Sequence, residues 1–136
     1  MPLLEVQYDP TIGPVIDIEV AHPRALLHPK AVRPTVIATF LVDTGSKYSH
    51  VADHIVNQLI LPPCGVVPVR HRNGVSYAET YPVDLIFPAV SYSVLNVLVR
   101  EFQQTALQYG GILGRDVLNQ GMIRLDGRTK RLQLSF

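Results

Sequence analysis

The chain has 136 residues, room for one domain that buries roughly two-thirds of the surface its unfolded form exposes, without metal or disulfide staples. Twelve basic and eleven acidic residues leave a net charge of +1, with neither sign concentrated, which argues against nucleic acid or an anionic membrane as partner. An apolar content of 47% argues against disorder, and the single cysteine, Cys64, excludes an internal disulfide framework.

Short runs of Val, Ile, Leu and Tyr, punctuated by eleven prolines, read as a mostly β protein. Leu3 to Tyr8 is a first strand. Val15 to Val20 alternates apolar and acidic residues, the pattern of a strand with one wet face. The stretch His22 to Pro34 carries three prolines and reads as a surface loop. A strand over 35–42 follows and runs into Asp43-Thr44-Gly45-Ser46.

Ser49 to Leu61 is the best helix candidate: Ser49 could cap it, Val51, Ile55 and Leu59 recur at helical spacing, and Pro62-Pro63 ends it. Residues 66–87 read as a long hairpin about Asn73-Gly74, a dipeptide suited to the positive φ angles of a tight turn. Val90 to Val99 is a further strand, with a short helix around Glu101 to Leu107. Gly110-Gly111-Ile112-Leu113-Gly114 is a glycine-framed apolar strand, and Arg115 to Gln120 a short helix. The last hairpin sets Met122 to Leu125 against Arg131 to Phe136, turned at Asp126-Gly127.

Met1 to Glu5 shows neither the basic nor the apolar region of a secretory signal. No apolar run approaches the roughly 20 residues of a membrane span. The expectation is a soluble cytoplasmic protein.

The run Val36 to Val42 followed by Asp43-Thr44-Gly45 describes a buried strand that delivers one carboxylate onto a tight turn at the edge of a core. Taken alone, the four residues also fit a β-turn in which Asp43 only hydrogen-bonds local backbone. The order of the surrounding parts resembles that of the retropepsin-like (retroviral-type) aspartic proteases: apolar strand, Asp-Thr-Gly, short helix, hairpin flap, then two apolar residues before glycine and a helix. Here those parts are Phe40-Leu41-Val42, Asp43-Thr44-Gly45, the helix from Ser49, the Asn73-Gly74 hairpin and Ile112-Leu113-Gly114-Arg115-Asp116. The resemblance covers roughly residues 13 to 136.

The resemblance implies a single-lobe, closed-barrel-like acid protease fold with one or two short helices, over the single domain 1–136, working as a two-fold symmetric homodimer. It implies an aspartic endopeptidase without cofactor or metal that takes an extended peptide or protein substrate. Such hydrolysis needs two carboxylates that share one proton, and the motif occurs once, so two copies of Asp43 must meet. Thr44 is then expected to bond across the dimer, Gly45 to let backbone approach the substrate, and Ser46 to place a hydroxyl beside the dyad. The flap tip is His71-Arg72-Asn73-Gly74-Val75, and Gly114, Arg115 and Asp116 are structural supports of the catalytic loop. Asp116 is the rival carboxylate, either a helix-start cap or one half of an intrachain pair with Asp43.

Some positions depart from the pattern. Position 47, often acidic in viral members and paired with the arginine of the Gly-Arg-Asp motif, is Lys47, so Arg115 needs another partner, Asp116 being one choice. The flap tip has one glycine where viral tips are glycine-rich, which implies a stiffer flap and a preference for acidic or polar substrate groups. Tyr77 fits either a flap tyrosine or a surface strand residue. The alternating strand Arg131 to Phe136 fits an ordinary sheet strand or, by the resemblance, a strand exposed for dimerisation.

Two other chemistries have weaker support. His50 and His54 stand four apart on the expected helix, the spacing of a zinc pair, but the glutamate of the zinc proteases is missing and no third ligand is apparent. Gly110-Gly111-x-x-Gly114 lacks the lysine and spacing of a phosphate loop. The functional alternative to proteolysis is a catalytically silent dimer of the same fold that binds peptides or protein partners.

Overall fold

Residues 2–103 and 109–136 are described in the computed structural model of the chain. Among the described residues, ten strands and two short α-helices follow the punctuation of the sequence. They are β1 (Leu3–Gln7), β2 (Val15–Ala21), β3 (Thr35–Val42), β4 (His50–Ala52), α1 (Asp53–Leu59), β5 (Gly65–His71), β6 (Gly74–Phe87), β7 (Tyr92–Phe102), β8 (Gly111–Leu113), α2 (Arg115–Leu118), β9 (Met122–Asp126) and β10 (Arg131–Ser135).

The larger sheet runs β2-β3-β8-β4-β7-β6-β5, and β2 also pairs with β6 through Glu19 to Ala21 against Ile86 to Asp84. That extra ladder closes β2, β3, β8, β4, β7 and β6 into a barrel, leaving β5 attached to β6 alone as the outer arm of a hairpin. The alternation in β2 sends Ile16, Ile18 and Val20 inward while Asp17 and Glu19 stay outside. Phe40, Val51, Val83, Leu85, Phe87, Val99 and Leu113 meet them in the interior. Each side chain of this size contributes about 1.5–3 kcal/mol through burial.

A second sheet of order β1-β10-β9 packs Leu4, Leu132 and Leu134 against that core. Its end is fastened by Phe136, whose ring lies 5.0 Å from Phe87 and stacks on Tyr92 at 4.5 Å. The expectation of an exposed terminal strand is corrected here. β10 pairs with β1 on one side and β9 on the other, so both of its backbone edges are filled within the chain.

The helix expected from Ser49 begins later. His50–Ala52 is a strand, because it finds ladder partners in β7 and β8 and Ala52 N donates to Gly110 O at 2.9 Å. The helix starts at Asp53, and Ile60 (φ 51°) ends it in the left-handed conformation before the prolines are reached. Glu101 and Phe102 are strand rather than helix, Gln103 is in no regular element, and residues 104–107 of the helix expected there lie outside the described residues. In the long hairpin the two-residue turn is Arg72-Asn73, one position earlier than expected, and at this turn the positive φ falls on Gly74 (φ 133°). The last turn is built by Asp126, whose Oδ1 accepts from the N–H groups of Arg128 and Thr129, with Lys130 (φ 57°) as the left-handed residue.

The proline-rich loop over 22–34 is anchored by a carboxylate that the sequence did not single out. Asp84 is 1% exposed and sits at an irregularity in the β6–β7 register. Its Oδ2 accepts from Arg24 N at 3.1 Å and from the Arg33 guanidinium, and its Oδ1 accepts from Asn96 N at 2.8 Å. Arg33 Nε donates in turn to His22 O at 3.0 Å.

Candidate active site

β3 carries the chain into the Asp43 turn, and β8 and α2 hold that turn from behind. Asp43 N donates to Leu113 O at 3.0 Å, extending the β3–β8 ladder by one bond. Ser46 N returns to Asp43 O at 3.1 Å and Gly45 N donates to Asp43 Oδ1 at 2.9 Å. The carboxylate is therefore half-buried and oriented by the turn that bears it. A Cβ at position 45 would lie 3.1 Å from Asp43 Oδ1, so the glycine leaves that oxygen its room.

Gly114 passes directly against the loop. A Cβ there would lie 2.5 Å from both the carbonyl carbon and the oxygen of Tyr48, and 3.0 Å from Ser46 O. Gly114→Ala must push backbone apart. We expect it to cost at least about 1–3 kcal/mol and to lower the thermal midpoint by roughly 4–10 °C, read by thermal unfolding.

Arg115 does not use Asp116. Its Nη1 donates to Thr44 O at 2.8 Å, and its own N donates to Ser46 O at 2.8 Å, so it grips the turn twice through carbonyl groups. Asp116 is committed to Ser49: Oδ2 accepts from Ser49 N at 3.0 Å and Oδ1 from Ser49 Oγ at 2.7 Å, while Val117 N also donates to Oδ1. Ser49 Oγ accepts from Gly114 N at 2.9 Å. Ser49 is thus a buried junction between the two segments and does not cap α1. Ser46 Oγ donates to Tyr48 O at 2.6 Å, and Thr44 is exposed.

The hairpin of β5 and β6 stands over a cleft of about 560 Å³ lined by Val69, Ser76, Tyr77 and Glu79 on one side and by His50 and Glu101 on the other. Tyr77 is 74% exposed. The tip residues His71, Arg72, Asn73, Gly74 and Val75 are all exposed. At the hairpin base the Tyr81 hydroxyl meets Glu79 Oε2 at 2.5 Å and Glu101 Oε2 at 3.1 Å. Burial first, and then these two carboxylates, raise the phenol above its ordinary pKa.

His50 lies on β4 instead of on the helix, so it shares no helical face with His54 and the geometric case for a zinc pair lapses. Its Nδ1 is buried with no hydrogen-bond partner among the described residues. Burial, assisted by Arg100, holds the imidazole below its usual pKa, against weaker pulls from the Tyr48 backbone, Asp116 and Asp43. Below about pH 6.5 the unfolded chain accordingly takes up a proton that the folded chain refuses. Stability should fall as pH drops from there toward the lowered folded value, at no more than about 1.4 kcal/mol per pH unit. Chemical denaturation between pH 7 and pH 5 should show a smaller loss for His50→Asn than for the unsubstituted chain.

Tyr48 and Arg100 were not singled out in the sequence. The Arg100 guanidinium carbon stands 3.9 Å from the centre of the Tyr48 ring, and Lys47 Nζ stands 5.3 Å from the same ring. Alternation marks Arg100 as outward-facing beside buried Val99, but its meeting with Tyr48 depends on a strand register that sequence does not display.

No family model and no curated protein matches the chain. Among solved structures it is similar to a retropepsin-like aspartic protease from Rickettsia conorii, known from its crystal structure. The TM-score is 0.68 and the identity 14%, over 98% of this chain and 90% of that one. A mostly β chain with a closed barrel, superposing at that level over nearly its whole length, has the single-lobe retropepsin-like fold.

Proposed function

We propose that the chain is one half of a homodimeric aspartic endopeptidase, a cytoplasmic hydrolase that cleaves an extended peptide held between two flaps and two Asp43 turns. The observation that carries this reading is the Asp43 turn itself. One carboxylate sits at the end of a barrel strand, oriented by Gly45 and braced by Leu113, Gly114 and Arg115.

In the proposed dimer Asp43 and its symmetry mate share one proton, and their titration belongs to the pair. The ionised carboxylate takes a proton from the attacking water while the protonated one donates to the substrate carbonyl oxygen. Thr44 bonds across the two-fold axis, and Gly45 offers its carbonyl to the substrate. The hairpin supplies main-chain hydrogen bonds, and side pockets choose residues. Asp116, held by Ser49 and Val117, acts as a support.

A peptide-library digest, run across acidic to neutral pH with and without a transition-state inhibitor of aspartic proteases, tests the reading. Inhibitor-sensitive cleavage whose specific activity rises with protein concentration is expected. Binding of peptides with no cleavage at any pH would favour the silent alternative, which Lys47 and the glycine-poor flap tip leave open.

A further inference from the structure

Strand register lines up one row of side chains beside the Asp43 turn. Leu41 stands opposite Ile112, Ile112 opposite His50, and His50 opposite Arg100. Their chain neighbours Phe40, Val42, Val51, Val99 and Leu113 are buried in the barrel, so the row lies on the face turned away from the core. Asp43 follows Leu41 by two residues. Strands are spaced about 4.8 Å apart, which puts His50 roughly 10 Å across the sheet from Leu41, and Arg100 one strand further.

The far end of this row is cationic and held in place. The Arg100 guanidinium stacks on Tyr48 and reaches Pro68 O of the hairpin at 3.5 Å, with Lys47 on the same ring. Arg100 is half-buried, yet no carboxylate of the described residues lies within ion-pair distance of it. Removing a charge from water without a counter-charge is costly. The nearby carboxylates are otherwise engaged: Asp116 holds Ser49, while Glu79 and Glu101 converge on the Tyr81 hydroxyl, with Glu101 in register with buried Val51. His50 stands beside Arg100, its buried Nδ1 without a partner among the described residues.

We propose that Tyr48, His50 and Arg100 form a subsite for an acidic side chain, a glutamate or aspartate, of an extended peptide that passes the Asp43 turn. The proposal rests on the reading of the chain as a peptide-cleaving dimer and names one side chain that such a dimer selects. Arg100 supplies the charge and Tyr48 fixes the guanidinium plane, with His50 in register beside Arg100.

The test is calorimetric titration of the full chain with matched peptides made non-cleavable by a reduced peptide bond, carrying Glu, Gln or Lys at each position in turn. At one position the Glu peptide should bind roughly tenfold or more tightly than the Gln peptide. That ratio should collapse toward one in Arg100→Gln and survive in part in Arg100→Lys. A purely structural role for Arg100 would instead weaken all peptides together and leave the ratio unchanged, which overturns the proposal. A preference for Lys also overturns it, and would assign the charge of the cleft to Glu79 and Glu101. Binding without any charge preference overturns this inference while leaving proteolysis standing. Failure of every peptide to bind removes both.

Discussion

Asp43→Asn is expected to abolish peptide cleavage, by roughly 10⁴-fold or more, while leaving the fold intact. The estimate follows from the loss of both proton-transfer roles at once, since each positioned acid or base is worth about 10²–10⁴ in rate. Asparagine retains an oxygen able to accept from Gly45 N, the bond that shapes the turn. The thermal midpoint should therefore move little, which separates a chemical defect from unfolding. Mixing sharpens the result. If chains exchange freely, an equal amount of Asp43→Asn protein should lower the activity of the unsubstituted chain to about half, because a homodimer site needs both carboxylates. Undiminished activity in the mixture would mean that each chain works without a symmetry mate, and full activity of Asp43→Asn alone would falsify the mechanism.

Asp84→Ala should be the most damaging single change to stability, at about 3–5 kcal/mol, or roughly 10–15 °C in midpoint. Three donors converge on this buried carboxylate from two segments, the 22–34 loop and β7: Arg33, Arg24 N and Asn96 N. Truncation leaves a charged guanidinium and two amide groups facing an apolar gap. A double-mutant cycle with Arg33→Ala should show strong coupling, with the pair costing much less than the sum of the singles. Additive losses would mean that Asp84 acts mainly through the backbone groups.

The strands of the barrel were legible because alternation and β-branched composition are local. β2 announces its wet face through Asp17 and Glu19, and the Asp43 turn follows from an apolar strand that stops abruptly. What the sequence hid was partnership. Val51 fits the helical spacing of Ile55 and Leu59, yet it belongs to a strand because β7 and β8 offer backbone ladders at that point. Arg115 was assigned a carboxylate, whereas it bonds Thr44 O, and carbonyl acceptors have no signature in side-chain patterns. Asp84 and Arg33 are far apart in the chain, and Tyr48 and Arg100 meet only through register. Likewise β10 shows its alternation but not the two neighbours that flank it.

That flanking has a consequence for the order of assembly. β10 is the centre of its sheet and β1 an edge, so β1 can be secured only after the residues of nearly the whole domain have been made. During synthesis Leu3 to Gln7 waits as a loose ribbon, and the loop that finally closes on it carries a large entropic cost. Refolding should accordingly show barrel burial ahead of protection at Leu4 and Val6 in pulse-labelled hydrogen exchange. The second sheet would then be a late latch laid onto a barrel that already exists.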